Sequence, residues 1–291
     1  LLRESVEILS IDPDGTYIDA TFGGGGHSLE ILKKLTSGHL YAFDQDPDAA
    51  TNTPDDERFT LIPQNFKYLK NFMRVHQAIP VNGILADLGV SSHQFDQPER
   101  GFSIRYDGPL DMRMNPNMDK TAADILNTYD EADLANVFYN YGEIKSSRKL
   151  ASTLVKNRKL EKFDSCNQLI KCIEPLTPKQ KRIQFQARVF QALRIEVNDE
   201  LQVLREFLKQ CSEVLAEGGR VACITYHSLE DRLVKNFFRT GNFEGKEEKD
   251  LFGNIIRPLQ PVLRKPMVPQ PDEINQNSRA RSAKLRCAEK I

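Results

Sequence analysis

The 291-residue chain predicts an α/β protein built on a mostly parallel sheet, with an all-helical domain inserted into it. Three observations carry that expectation. A short apolar run at residues 16–20 feeds the glycine run Gly23-Gly24-Gly25-Gly26 and then a helical pattern. Two later apolar runs, at 40–43 and 83–86, each end in an aspartate, Asp44 and Asp87. Between 116 and 180 the strand signal disappears.

The elements follow in order. After the glycine run, Leu29, Leu32 and Leu35 recur on one side of a helix, and residues 59–62 supply a third strand. Strand, helix, strand at this spacing implies parallel pairing. Segments 121–126, 131–139 and 146–157 read as helices, and Pro175 and Pro178 make the end of the insertion irregular. The domain expectation is therefore 1–115 with 181–291 as one discontinuous domain, and 116–180 as a helical insertion. Apolar residues every three or four positions from Phe185 to Leu215 predict one long amphipathic helix, stopped by Gly218-Gly219. Residues 220–225 form another strand, and 255–264 suggest a pair of late edge strands.

Composition narrows the function classes. With 40 basic and 41 acidic residues the chain is near neutral overall. Charge is nevertheless uneven: 145–182 holds 11 basic and 3 acidic residues, and 275–291 holds 5 and 1. Two basic stretches on a neutral chain point to a polyanionic partner, with a solvated helix face as the plain alternative. The five cysteines form no CxxC pair, which fits a reducing compartment and offers neither a disulfide framework nor a zinc site. No run has the length of a membrane span, and the opening residues lack a signal-peptide pattern, so a cytoplasmic location with no membrane partner is expected.

The glycine-rich turn is the main chemical signal. Residues without side chains let the backbone pass close to a ligand, and the run lacks the GxGxxG order of a dinucleotide site. A small zwitterionic group fits better than a pyrophosphate, with Asp19 as nearby negative charge; a flexible loop is the bland alternative. Asp44 ends the second strand, where a carboxylate accepts from two ribose hydroxyls, and Asp46 is its neighbouring alternative. Phe66 suits an adenine face or ordinary core. Asp87 borders the same edge.

Six runs then carry a resemblance over nearly the whole chain: Asp87-Leu-Gly-Val-Ser-Ser92, Arg100-Gly-Phe-Ser103, Asp107-Gly-Pro-Leu-Asp-Met-Arg-Met114, Phe190-Gln-Ala-Leu-Arg-Ile195, His227-Ser-Leu-Glu-Asp-Arg232 and Arg279-Ala-Arg-Ser-Ala-Lys-Leu-Arg286. In this set and order the chain resembles the bacterial 16S ribosomal RNA cytosine-N4 methyltransferase family. The resemblance implies a Rossmann-like S-adenosylmethionine-dependent methyltransferase sheet, S-adenosylmethionine as cofactor, and a decoding-region cytosine of small-subunit RNA as target. It assigns cofactor contacts to Gly25, Gly26, His27, Asp44, Phe66, Asp87 and Gln94, and requires no metal. The chain departs from the family at Asn115, Ile144, Gln184 to Arg188, Thr225-Tyr226 and Asn277-Ser278, and it begins within the family's opening segment.

For catalysis the candidates are Asp87, His227, Asp107 and Asp111. His227 handles a proton or only caps a helix, and the two later aspartates orient a base. Phosphate contacts are expected from Arg105, Arg113, Arg188, Arg194, Arg232, Arg279, Arg281, Lys284 and Arg286, with Arg194 as a suspect for an internal ion pair. Tyr106 and Tyr226 stack on a base or simply pack. Monomer and homodimer both remain open. The rivals are a methyltransferase for another nucleic acid and an idle RNA-binding protein. The chain lacks the Asp/Asn-Pro-Pro-Tyr/Phe run of DNA amino-methyltransferases, and its intact glycine and acidic positions oppose an idle role.

Overall fold

The computed structural model describes every residue except Pro178 and the side chain of Lys179. The expected irregularity at Pro178 therefore lies outside the described residues.

The chain forms two compact units, one made of 1–89 with 201–291 and the other of 90–200. The second unit is wider than the expected 116–180. Its core explains the difference, because Phe102, Leu110 and Met112 and then Val189, Leu193 and Val197 are buried in one cluster with Ile125, Phe138, Leu150 and Leu169. Loop residues before 116 look polar in sequence, and only packing reveals where their apolar members go.

The first unit is built on a seven-stranded sheet of order β3-β2-β1-β4-β5-β7-β6. The strands are β1 (Thr16–Asp19), β2 (His39–Phe43), β3 (Phe59–Ile62), β4 (Val81–Asp87), β5 (Leu215–Thr225), β6 (Leu259–Pro261) and β7 (Lys284–Lys290). Pairing is parallel from β3 through β5, and β7 runs antiparallel to both of its neighbours. This is a Rossmann-like sheet whose strand order reverses between β1 and β4, the place where open parallel sheets open a ligand crevice at their carboxyl ends.

Period-two alternation sends successive residues to opposite faces. Ile18, Ile84, Ala86, Val221 and Cys223 enter one core with Leu69, Phe207, Leu208 and Phe237. Tyr17, Leu85, Ala222 and Ile224 enter the other with Val6, Ile31 and Leu32. Both faces are thus covered, as a parallel sheet requires. Phe207 is fully buried and meets Phe66 edge-on with ring centroids 5.1 Å apart. Phe207→Ala is expected to lower stability by about 3–5 kcal/mol, read by chemical denaturation.

Two sequence expectations are corrected. The long helix is two helices, Arg182–Asn198 and Glu200–Val214, broken at Asp199, which takes a left-handed φ of 50°. Asn198 fixes that end by accepting from the Met114 amide at 2.7 Å and donating to the Met112 carbonyl at 2.8 Å. Apolar periodicity continues across a single left-handed residue, so it cannot reveal the break. The stretch 255–264 contributes only the short edge strand β6, while the last long strand, β7, runs through the basic motif. No helix among the described residues is long and apolar enough to cross a membrane.

Candidate methyl-donor site

The mouths of β1, β2 and β4 bring the glycine run, Asp44 and Asp87 to one sheet edge. After β1, Asp19 is wholly buried, accepting from the Ser28 hydroxyl at 2.7 Å and the Thr21 amide at 3.1 Å. Burial pushes its carboxyl up, with the nearby His27 and these hydrogen bonds opposing the shift. Asp19 therefore braces the loop from inside, close to the turn where its negative charge was expected.

The glycines divide by role. Gly23 and Gly25 have φ of 51° and 76°, a left-handed conformation that side chains disfavour. A Cβ at Gly25 would also come within 3.2 Å of the Phe22 ring, whereas one at Gly24 or Gly26 meets nothing within 4 Å. The first pair shapes the turn, and the second pair faces open space. Helix Gly26–Leu32 starts here with no side-chain cap, leaving first-turn amides available.

Asp44 sits just past β2. Its Oδ2 accepts from the Gly23 amide at 2.7 Å and its Oδ1 from the Asp46 amide at 2.8 Å. A carboxylate has about four lone-pair sites, so two remain. Burial, only partly offset by these hydrogen bonds, pushes the Asp44 carboxyl up to about 6. Asp46, the alternative, turns inward and caps the helical turn Pro47–Asn52 through the Asp48 amide.

Asp87 closes the group. Its amide donates to the Thr21 hydroxyl at 2.7 Å, its Oδ1 accepts from the Tyr226 hydroxyl at 2.8 Å, and its Oδ2 lies 3.9 Å from His27 Nδ1. Burial raises the Asp87 carboxyl, and the His27 ring beside it opposes that shift. On the far side of the His27 ring, Nε2 is buried and has no hydrogen-bond partner. An orphaned buried nitrogen, open space over Gly24 and Gly26, and unused carboxylate lone pairs together fit a polar nucleoside-like ligand with a cationic or zwitterionic end. Phe66 is half-buried against Phe207, compatible with both of its expected roles.

Other expected residues have structural employment. His227 caps helix Ser228–Thr240: the Glu230 amide lies 3.4 Å from its Nδ1, and Glu230 Oε2 accepts from the Tyr226 amide at 3.0 Å. The capping reading of His227 is therefore realised, and its Nε2 lies 3.0 Å from Glu230 Oε1. Tyr226 is half-buried, packs against the core and bonds Asp87, so the packing alternative is the one realised. Lys284 and Arg286 both bind Asp231, at 3.1 and 2.7 Å. Burial pushes the Asp231 carboxyl up, but these two cations outweigh it and hold it below the usual range. Arg232, Arg279 and Arg281 are exposed, the last two on the helical turn Ser278–Ser282.

In the helical unit, Asp111 takes a bidentate contact from Arg113, 2.8 Å from Nε and 2.7 Å from Nη2. The two expected functional charges are thus each other's partners. Arg194 binds Glu200 at 2.8 and 2.9 Å with both side chains largely buried, the internal ion pair suspected from sequence. Gln94 is buried and closes a capping box with Ser91. Asp107 is exposed and accepts from the Asn167 amide at 3.1 Å; Arg105 and Arg188 are exposed. Sequence reading missed Thr21, Ser28 and the Tyr226 hydroxyl, whose partners are distant in the chain or carry no motif. All five cysteines are free, and burial pushes the Cys166 thiol up to about 11, which makes it a poor nucleophile.

Comparison with known proteins places these observations. The model of the MraW methylase family matches residues 1–291. The chain is 59% identical to the ribosomal RNA small subunit methyltransferase H of Parabacteroides distasonis, over 100% of this chain and 96% of that one. It is 55% identical to the protein of the same name in Bacteroides fragilis, again over 100% and 96%. Among solved structures, an rRNA methylase from Streptococcus thermophilus aligns at a TM-score of 0.41 and 14% identity, over 100% of this chain and 93% of that one. With its full length matched and its glycine turn and strand-end aspartates gathered at one sheet edge, the chain belongs to the MraW methylase family.

Proposed function

We propose that the protein transfers a methyl group from S-adenosylmethionine to the exocyclic N4 of a decoding-region cytosine in 16S ribosomal RNA, acting in the cytoplasm on the small subunit. The observation that carries the donor half of this reading is the convergence of Gly23 to His27, Asp44 and Asp87 at the reversal point of the sheet. The RNA half rests on the names of the two curated relatives and on the family resemblance of the motifs.

The donor, when bound, supplies a methyl already activated by its sulfonium. This chain's residues would bind and orient it. Asp44 holds the glycine turn and keeps lone pairs for ribose hydroxyls, Gly24 and Gly26 leave room for close approach, and His27 offers a buried nitrogen. Because the cytosine amino group has its lone pair delocalised into the ring, alignment and acceptors for its hydrogens are the main requirements. Such alignment needs the target out of its stack, at a cost of a few kcal/mol.

We assign phosphate contacts chiefly to exposed cations: Arg279 and Arg281 in the sheet unit, Arg105 and Arg188 in the helical unit, which also carries the basic stretch 145–182. Arg281→Ala is expected to leave the thermal midpoint unchanged and to lower the salt slope of RNA binding by about 0.7–0.9. Lys284→Ala instead strips a partner from Asp231 and is expected to lower stability as well. The reading as a whole is tested by incubating small subunits with isotopically labelled donor and mapping the RNA by mass spectrometry. Label on N4 of one cytosine is expected; label elsewhere, or none, overturns the assignment.

A further inference from the structure

Tyr226 follows β5, and Asp87 ends the neighbouring β4, so adjacent strand ends place the phenol beside the carboxylate. The ring is half-buried and packs against the core. With its Oδ1 taken by the phenol and its amide by Thr21, the Asp87 side chain has one free oxygen, and that oxygen is the one nearest His27. We propose that Tyr226 is a positioning residue of the donor site, whose hydroxyl fixes the Asp87 carboxylate so that its second oxygen is held towards the His27 ring. That oxygen lies 3.9 Å from His27 Nδ1, a charge contact and not a hydrogen bond, and the unpartnered Nε2 is on the opposite side of the ring.

The inference rests on the donor-site reading above but concerns an interaction within the chain. The charged and titratable groups around Asp87 act in known directions. Burial raises its carboxyl, His27 lowers it, the Tyr226 hydrogen bond lowers it, and Asp19 raises it. Removing the phenol therefore favours the protonated form, and the carboxylate returns only at higher pH.

The test compares Tyr226→Phe, Asp87→Asn and the double variant with the parent. In the ligand-free protein, carboxyl-carbon NMR of the aspartates follows Asp87, with Asp87→Asn identifying its resonance. Tyr226→Phe is expected to move the Asp87 midpoint upward by roughly one pH unit. By calorimetry it is expected to weaken binding of S-adenosylmethionine about tenfold below the shifted midpoint, with the affinities converging above it. In the Asp87→Asn background the same change is expected to do nothing further. An unmoved Asp87 titration, or an equal loss of affinity in both backgrounds, overturns the positioning role. If the parent fails to bind the donor, the functional reading falls, while the carboxyl titration still decides the role of Tyr226.

Discussion

Asp44→Asn is expected to weaken S-adenosylmethionine binding about 100-fold, equivalent to roughly 2.7 kcal/mol, the largest loss from any single polar change in the site. The carboxylate accepts from two backbone amides, at Gly23 and Asp46, while keeping lone pairs for the ligand. An amide has one acceptor oxygen, so its NH2 group would face one of those N–H donors without a bond. The glycine turn and the ribose clasp would fail together.

The same residue sets a pH dependence. Its folded-state value of about 6 lies above the ordinary 3.8. For the free protein, a raised carboxyl contributes stability that is present below 3.8 and lost as pH rises through about 6. Ligand binding runs the other way, because the ionised form accepts hydroxyl protons from the ribose. Donor affinity is therefore expected to rise with pH through about 6 in the parent, and this Asp44 limb is expected to vanish in Asp44→Asn. Calorimetry across that range checks both statements. Unchanged affinity in the variant would show that Asp44 serves the loop alone.

Gly26→Val is expected to abolish most donor binding, by about 10- to 100-fold, while leaving the thermal midpoint in place. A side chain at Gly26 would enter space that no protein atom occupies within 4 Å, and helix propensity at that position favours valine over glycine. Gly25→Val is the contrasting case. Its φ of 76° and the Phe22 ring 3.2 Å from the new Cβ predict lost stability along with lost binding. If Gly26→Val instead unfolds the protein, or binds the donor as the parent does, the open space over Gly26 is not the ligand's.

These contrasts mark what sequence could and could not reveal. The glycine run and the aspartates at the ends of β2 and β4 were legible because the sheet edge is encoded locally, by an apolar run followed by its polar terminus. Burial is not local, so nothing in the sequence showed that Asp19 is wholly sealed behind Ser28 while Asp44 stays partly exposed. Charge pairing was not legible either: that Asp111 meets Arg113, and that Lys284 and Arg286 share Asp231, depends on chain segments brought together only by folding or on local geometry that carries no motif. The strand β7 was readable in principle: Lys284, Leu285, Arg286 and Cys287 alternate polar and apolar, and their motif drew attention away from that pattern. The Tyr226 hydroxyl had no sequence signal, since its partner lies 139 residues away.

Donor binding of this kind requires one crevice at the mouths of β1, β2 and β4. A crystal structure with S-adenosylhomocysteine tests it most directly. The predicted result is the ligand over Gly24 and Gly26, with its ribose on Asp44 and a polar group on His27 Nε2. Ligand bound elsewhere, with His27 Nε2 and Asp44 untouched, would contradict it.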